Sequence, residues 1–419
     1  MKTYIVGGYV RDLLYSQIHN IPFIPSDRDW VVVGSTEDEL LSLGYKRVGK
    51  DFPVFLHPET REEYALARTE KKTGPGHKGF EVEFGPDITI EQDLQRRDFT
   101  INAIALDPET NQIIDPFYGL SSLFNMTISV CNRNSFNEDP LRILRLARMT
   151  AKYPDFRISS STINFASMAL DGLKELSPER VGMETEKAFK EKRPSNYFRF
   201  LSNLIGTSLI LEQETGTIFV SGLAHWFPAL ERMMGIPHRH LENVFDHTMM
   251  VLDRAPSWAT LYHDTGKGLT PKSEWPKHND HETRSVEIIH QELGKLKLPK
   301  STIQMAANFA ADHMKLHRWK ELRAHSVIKI LEHCHANHFV LEQYIKWIEA
   351  DEQGIIKVNR TDNDSFNRAT FFNRALLRYK SVSGDKFVEK FGPGPKIGDL
   401  ILEERIKLIK KLQKEKKEE

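Results

Sequence analysis

Ser26-Asp27-Arg28-Asp29-Trp30-Val31-Val32-Val33 is the stretch whose reading decides the fold. Its apolar, mostly β-branched end is a short strand, and two acids stand immediately before it. Side chains two apart in an extended chain share a face, so Asp27 and Asp29 point the same way, about 7 Å apart, and Arg28 points opposite. Two carboxylates so placed can hold one or two hard cations. A pair of such cations, about 4 Å apart, stabilises the attacking and leaving oxygens of an in-line displacement at phosphorus. An isolated Asp-x-Asp is more often a turn with solvated acids, so its neighbours decide.

Upstream, Gly7-Gly8-Tyr9-Val10-Arg11-Asp12 follows a strand over residues 3–6 and leads into a helix at Leu13 and Leu14. Glycines at a strand-to-helix turn let backbone amides approach phosphate oxygens, and Arg11 can bind them bidentately. An ordinary tight turn explains the same residues equally well. Downstream, further strands are expected over residues 54–56, 64–67 and 80–84. Arg96-Arg97-Asp98-Phe99-Thr100-Ile101-Asn102-Ala103 then sets two arginines ahead of an amphipathic segment.

Glu138-Asp139-Pro140-Leu141-Arg142 comes next. On a helix, Asp139 and Arg142 are neighbours, an acceptor beside a donor fork. Cytosine and adenine each offer an amino donor beside a ring-nitrogen acceptor, whereas uracil and guanine reverse both. Such a pair selects C and A without a template, because mismatched buried polar groups are costly. Arg145 and Arg148 continue the stripe one turn at a time and suit a triphosphate. A surface helix with an i,i+3 ion pair and solvated arginines accounts for the same stretch taken alone.

At about 150 residues per domain, 419 residues predict two to four domains. Lys plus Arg and Asp plus Glu both number 58, which excludes coating of nucleic acid through a global positive field. Cys131 and Cys334 lie far apart, so neither a disulfide scaffold nor a cysteine zinc site is expected. The N-terminus reaches its glycine pair before a signal-type apolar region, and no apolar run approaches the roughly 20 residues of a membrane span. A soluble protein of a reducing compartment is the expectation. Up to about residue 130 the texture is strands and polar turns; from about Asp139 it is helical. Ser177-Pro178 opens one helix, with Ser as N-cap and Pro at the first position. The Lys- and Glu-rich end, residues 407–419, reads as a solvated or frayed helix. Two glycine patterns mislead. Gly74-Pro75-Gly76-His77-Lys78-Gly79 precedes a strand rather than a helix and reads as a mobile loop. Gly266-Lys267-Gly268 lacks the Ser or Thr of a phosphate loop.

Beyond Trp226 the histidines become dense. His247, His263-Asp264, His278, His281, His313 and Asp351 are separated ligands in helical surroundings, which suit a divalent transition metal. One His-Asp dipeptide among 17 histidines means little by itself.

Gly-Gly-x-Val-Arg-Asp, Asp-Arg-Asp-Trp, Arg-Arg-Asp-Phe-Thr-Ile-Asn-Ala and Glu-Asp-Pro-Leu-Arg occur in that order. The conjunction resembles the bacterial class II tRNA nucleotidyltransferases, the CCA-adding enzymes, especially the multifunctional gamma-proteobacterial form. The resemblance runs to about residue 360 and takes in Asp51-Phe52-Pro53-Val54-Phe55-Leu56 and Glu63-Tyr64-Ala65-Leu66-Ala67-Arg68-Thr69-Glu70. It implies an α+β fold: a polymerase-beta-like nucleotidyltransferase head (residues 1–135), a helical neck and body (136–225), an α-helical HD domain (226–355) and a helical tail (356–419). It further implies addition of C, C and A to the tRNA 3′ end from CTP and ATP. Asp27 and Asp29 would bind Mg2+, with Glu70 a third catalytic acid. Gly8, Arg11, Arg97, Arg145 and Arg148 would contact the nucleotide, Asp139 and Arg142 its base. Residues 71–79 match the family's flexible loop, implicated in the switch from C to A. Residues 15–25 make a longer connection before Asp27 than the family usually has.

The order His…His-Asp…His…His…Asp resembles the HD phosphohydrolase superfamily. It implies a site of His247, His263, Asp264, His281, His313 and Asp351 for Ni2+ or another divalent transition metal, with Lys267 orienting a phosphate. The implied activities are 2′,3′-cyclic phosphodiesterase, 2′-nucleotidase and phosphatase. A module that has lost its metal and only docks tRNA is the alternative, since Asn279-Asp280 interrupts a stretch where the family often carries more histidine. The implied setting is cytoplasmic, as monomer or homodimer, without a membrane. A poly(A) polymerase and a hydrolase whose head only binds nucleotide are the rival readings.

Overall fold

The computed structural model describes residues 1–48, 53–72, 80–206, 210–212, 216–218, 221–238, 241, 243–354 and 362–418. For 70–72, 80–81, 210–212, 216–218, 362–363 and 416–418 it describes the backbone alone. Asp51, Phe52 and the loop residues 73–79 lie outside the described residues. The chain forms two compact units, Met1–His225 and Trp226–Glu419.

In the first unit the expected strands appear as β1 (Lys2–Val6), β2 (Asp29–Val33), β4 (Val54–Leu56), β5 (Glu63–Leu66) and β7 (Phe80–Phe84), joined by β3 (Lys46–Arg47), β6 (Arg68–Lys72), β8 (Ala105–Leu106) and β9 (Ile113–Ile114). Seven of them form one sheet in the order β3-β4-β5-β2-β1-β8-β9, and β6 pairs with β7 separately. β1 and β2 run antiparallel, β2 and β5 parallel. In the central strands β1 and β2, residues on both faces are buried. Tyr4, Val6 and Val31 pack on one side with Ile90, Leu94 and Ala103. On the other, Trp30 stacks on its register partner Tyr64, rings 5.0 Å apart. Such a pair contributes about 1 kcal/mol beyond area burial.

The remainder of this unit is mainly helical, including Leu141–Lys152, Pro178–Ala188 and Ser195–Asn203. In Leu141–Lys152, Ile143, Leu144, Leu146, Ala147 and Met149 are buried. Ser177 does occupy the N-cap of Pro178–Ala188, but its side chain makes no capping bond.

Among the described residues, all elements of the second unit are helices. Asn243 caps Val244–Arg254 through its Oδ1, and Ser257 caps Trp258–Tyr262. His281–Lys295 packs along Lys300–His317, followed by Ala324–His333 and His338–Gln353. The Lys- and Glu-rich end corrects the expectation of a solvated or frayed helix. Ile397–Glu418 buries Ile409 and Leu412, Gln413 donates to the Leu322 carbonyl at 2.6 Å, and Arg378 pairs with Glu415 at 2.8 Å. Three apolar residues among lysines, Ile406, Leu408 and Ile409, hide a period that only the packed helix displays. No helix among the described residues is long and apolar enough to cross a membrane.

Candidate active sites

Val6 stands opposite Asp29 in the β1–β2 register, so the Gly7-Gly8 turn arrives beside the acid at the start of β2. Gly7 has φ 73°, and a Cβ there would lie 3.2 Å from Asp29 Oδ2 and 3.4 Å from Arg97 Nη1. The positive φ favours glycine, and a Cβ would also press on the Asp29 and Arg97 side chains. Asp29 also pairs in parallel register with Glu63 of β5. Burial raises the Asp29 pKa; Arg97 opposes the shift, while Glu63 and Asp27 add to it. Oxygen donors crowded in this way suit a hard divalent cation, whose charge would relieve their repulsion. Glu63 was not singled out in the sequence, because a parallel pairing between distant strands leaves no local signal. Glu70 lies on β6, and its side chain lies outside the described residues.

A cavity of about 440 Å³ opens beside Asp29. Gly8, Arg11, Arg97, Asp139, Arg142, Arg145 and Arg148 all line it, as expected for the nucleotide; Asp27 does not. The arginines are braced from behind. Arg11 Nη1 donates to Asn102 Oδ1 at 2.7 Å, Asn102 Nδ2 donates to Asp98 Oδ1 at 2.9 Å, and Arg145 Nε donates to Asp98 Oδ2 at 2.7 Å. Burial disfavours charge on Asp98, but Arg145 and the Asn102 amide more than offset it and bring its pKa to about 2. Arg97 donates to Asp93, and Arg148 to Glu184 and Glu191. The result is a cationic wall fixed by buried acids. Asp98 and Asn102 stood inside a quoted motif without a role; spacing alone did not show that they tie Arg11 to Arg145.

The base-reading pair differs from the expected geometry. Asp139 is not on the helix with Arg142: it is extended, φ −134° and ψ 104°, because a residue before proline is pushed out of the α region. Its Oδ1 accepts from Leu141 N at 3.1 Å and its Oδ2 from Arg180 Nη2 at 2.8 Å. Arg142 is buried, donating to Ser135 Oγ at 2.8 Å, Glu138 at 3.2 Å and the Arg96 carbonyl at 2.6 Å. Both reach the cavity, yet each is bonded elsewhere, and Arg180 is a lining residue the sequence reading missed.

In the second unit the six expected ligands are buried together. His247, His263 and Asp264, and likewise Asp264, His281 and His313, place ligand atoms within 4.8 Å of one another. Asp351 Oδ1 lies 2.8 Å from His247 Nε2 and 3.4 Å from His263 Nε2. The Nδ1 atoms of His263, His281 and His313 face the carbonyls of Thr260, His278 and Ala310 at 2.7–2.8 Å. A carbonyl only accepts, so each Nδ1 carries the proton and Nε2 offers its lone pair inward. His281 Nε2 and His313 Nε2 then face each other at 3.2 Å, and His263 Nε2 and Asp264 Oδ1 are buried without a hydrogen-bond partner. Facing lone pairs and an orphaned acceptor fit a bound divalent cation. Burial lowers the His313 pKa, whereas at His263 burial is outweighed by Asp264 and Asp351, which raise it.

His278 is buried and serves through its carbonyl. Lys267, expected to orient phosphate, instead donates to Asp264 Oδ2 at 2.6 Å. His317, absent from the expected set, donates from Nε2 to Asp351 Oδ2 at 2.7 Å and lies 3.4 Å from Glu352. Its signal was present: four residues after His313, it shares a helix face. Gly266 is explained by packing, since a Cβ there would meet the His281 carbonyl oxygen at 2.0 Å.

The Poly A polymerase head domain family matches residues 3–129, and the HD domain family residues 239–346. The Multifunctional CCA protein of Hahella chejuensis is 36% identical over 438 residues, covering 99% of this chain and 96% of its own. Among solved structures, the Bacillus stearothermophilus CCA-adding enzyme in complex with CTP superposes with a TM-score of 0.65 at 19% identity, over 97% of this chain and 88% of that one. The Thermotoga maritima CCA-adding enzyme complexed with tRNA gives 0.57 at 22% identity, over 98% and 87%. At those identities the structures speak for the fold, while the near full-length relative speaks for the family. The chain therefore belongs to the multifunctional CCA proteins, tRNA nucleotidyltransferases of the CCA-adding kind that carry an HD domain.

Proposed function

We propose that the chain adds C, C and A in turn to the 3′ end of tRNA, taking CTP and ATP into the arginine-walled cavity beside Asp29. The observation that carries this reading is the brace Arg11–Asn102–Asp98–Arg145, which holds two guanidinium groups in place before any ligand arrives. Asp27 and Asp29 would hold Mg2+, which would supply positive charge to the transferring phosphoryl group. Gly8 and Arg11 receive phosphate oxygens at the helix start; Arg97, Arg145 and Arg148 take the rest of the triphosphate. Asp139 accepts the exocyclic amino group of C or A through a lone pair not used by Arg180 or Leu141. Arg142 donates to the ring nitrogen through a guanidinium hydrogen not taken by Ser135, Glu138 or the Arg96 carbonyl. RNA is gripped through shape and backbone along the acceptor arm, as double-stranded RNA generally is.

The HD unit is read as a phosphohydrolase for 2′,3′-cyclic phosphates and phosphate monoesters. His263, Asp264, His281 and His313, with His247 and Asp351, would hold Ni2+ or another divalent transition metal, which supplies Lewis acidity toward phosphoryl oxygens. The four segments 1–135, 136–225, 226–355 and 356–419 and a cytoplasmic setting are part of the same proposal.

The test is incubation of purified protein with tRNA lacking its CCA end, Mg2+ and each nucleotide. CTP-then-ATP incorporation that stops after three residues supports the reading. Long A tails would replace it with poly(A) synthesis, and phosphodiesterase activity without incorporation would leave only the hydrolase.

A further inference from the structure

Asp29 lines a second cavity as well. It measures about 670 Å³, against about 440 Å³ for the arginine-walled one, and no other residue lines both. We propose that this second cavity seats the 3′-terminal nucleotide of the acceptor RNA, with Tyr9 presenting its ring to the base and Arg61 holding the backbone phosphate. The inference rests on the nucleotidyl-transfer reading and deepens it.

The argument begins with the reaction. In an in-line displacement the 3′ oxygen of the RNA bonds to the α-phosphorus as the bond to the bridging oxygen breaks. Pyrophosphate leaves with the electron pair, and the hydroxyl proton passes to water. The entering and leaving oxygens are therefore on opposite sides of the α-phosphorus. With the triphosphate among the arginines and the reacting phosphorus at Asp29, the acceptor approaches from the other side, where Asp27, Arg28, Tyr9 and Arg61 line the second cavity.

The lining suits a terminal nucleotide. Tyr9 is half-buried and packs edge-on with Phe23, ring centres 5.4 Å apart. Phe23 belongs to the connection before Asp27, so that segment supports a wall of the cavity from behind. Aromatic faces bind any base, which is what an acceptor ending first in the discriminator base, then in C, requires. Arg61 is exposed, is in no ion pair among the described residues, and has φ 63°. That conformation is uncommon outside glycine, and its peptide N–H is held by the His57 carbonyl at 3.1 Å. Arg28 is already engaged, with Glu62 at 2.6 Å and over the Trp30 ring. Four acids, Asp27, Asp29, Glu62 and Glu63, line the cavity with only these two arginines, so the lining is net negative. Divalent charge at the carboxylates is then a condition for a phosphate to enter.

Initial rates of CTP incorporation into tRNA lacking its CCA end, with tRNA and CTP varied separately, test the seat. Arg61→Asn keeps a side chain that tolerates the left-handed backbone and removes the charge; Tyr9→Ala removes the ring, and Tyr9→Phe keeps it. Arg61→Asn and Tyr9→Ala are expected to raise the KM for tRNA about tenfold, leave the KM for CTP within about twofold, and Tyr9→Phe to behave as wild type. An unchanged KM for tRNA, or an equal rise in both constants, overturns the seat while the transfer reading stands. Wild-type protein that incorporates no CTP overturns both.

Discussion

Two carboxylates, Asp29 exposed at the start of β2 and Asp264 buried, anchor the two activities proposed for this chain. Asp29 sits where β1 turns at Gly7 and β2 pairs with β5; Asp264 lies among His263, His281 and His313. Asp29→Ala is expected to abolish nucleotide addition and spare hydrolysis of 2′,3′-cyclic substrates, and Asp264→Ala to do the reverse. Assays of both activities on each folded variant check this, and a single change that silenced both would sink the two-site assignment. Asn102 makes a subtler prediction. It touches Arg11 and Asp98 at once, so Asn102→Ala leaves Arg11 short of a buried acceptor and Asp98 short of a donor. Losing a charge-assisted bond of about 2 kcal/mol corresponds to a fall in kcat/KM for CTP of about thirtyfold. Hydrolase rates should be untouched. If CTP kinetics were also untouched, the brace would have no role in holding the wall.

Elements show which parts of this structure a sequence can display. Residues 54–56 and 80–84 were legible as strands to the residue, because alternation and β-branching are local properties. The histidines and acids that cluster in the HD unit were legible in identity but not in arrangement, since their helices meet only in the fold. What holds Arg142 was not legible for the same reason: the Arg96 carbonyl that accepts from it lies on a distant segment. Pro140 did carry the clue that Asp139 leaves the helix. Gly266 shows how tightly the elements close. The turn at Thr265–Leu269 crosses the start of His281–Lys295 so closely that Gly266 N donates to Ser285 Oγ at 2.8 Å. Gly266→Ala cannot be absorbed by a flexible side chain, because the obstacle is backbone. The expected cost is about 3 kcal/mol, with His281 displaced from Asp264 and divalent-cation affinity reduced. Urea unfolding and calorimetric metal titration measure the two effects. Wild-type values for both would mean that the close approach is unimportant.

At the scale of the molecule, a chain of zero formal charge must meet a polyanion through charges that are locally concentrated and internally compensated. The arginine wall is an instance, and its compensation makes the first unit sensitive to acid. Asp98 is held at about 2, below its ordinary 3.8, by Arg145 and Asn102 against the cost of burial. Asp12 is brought to about 2 by Arg11, Lys152 and the Tyr153 hydroxyl, also against burial. A carboxylate with a depressed folded pKa contributes stability that is present above the unfolded value and lost as pH falls through the folded one. The window is therefore between about pH 4 and pH 2, and for Asp98 the loss is about 2 kcal/mol; Asp12, with more solvent around it, contributes less. Asp98→Asn removes the titrating group. The variant should be less stable than wild type at pH 7, and the difference should shrink as pH falls from 4 to 2, because only the wild type loses the charge. Urea unfolding at pH 7, 4 and 2.5, read through exchange protection of β1 and β2, measures that difference. A gap that stayed constant across the three pH values would show that the Asp98–Arg145 pair is not ionised in the way its surroundings dictate. The rigidity ascribed to the wall would then have to come from packing around Leu141–Lys152 instead.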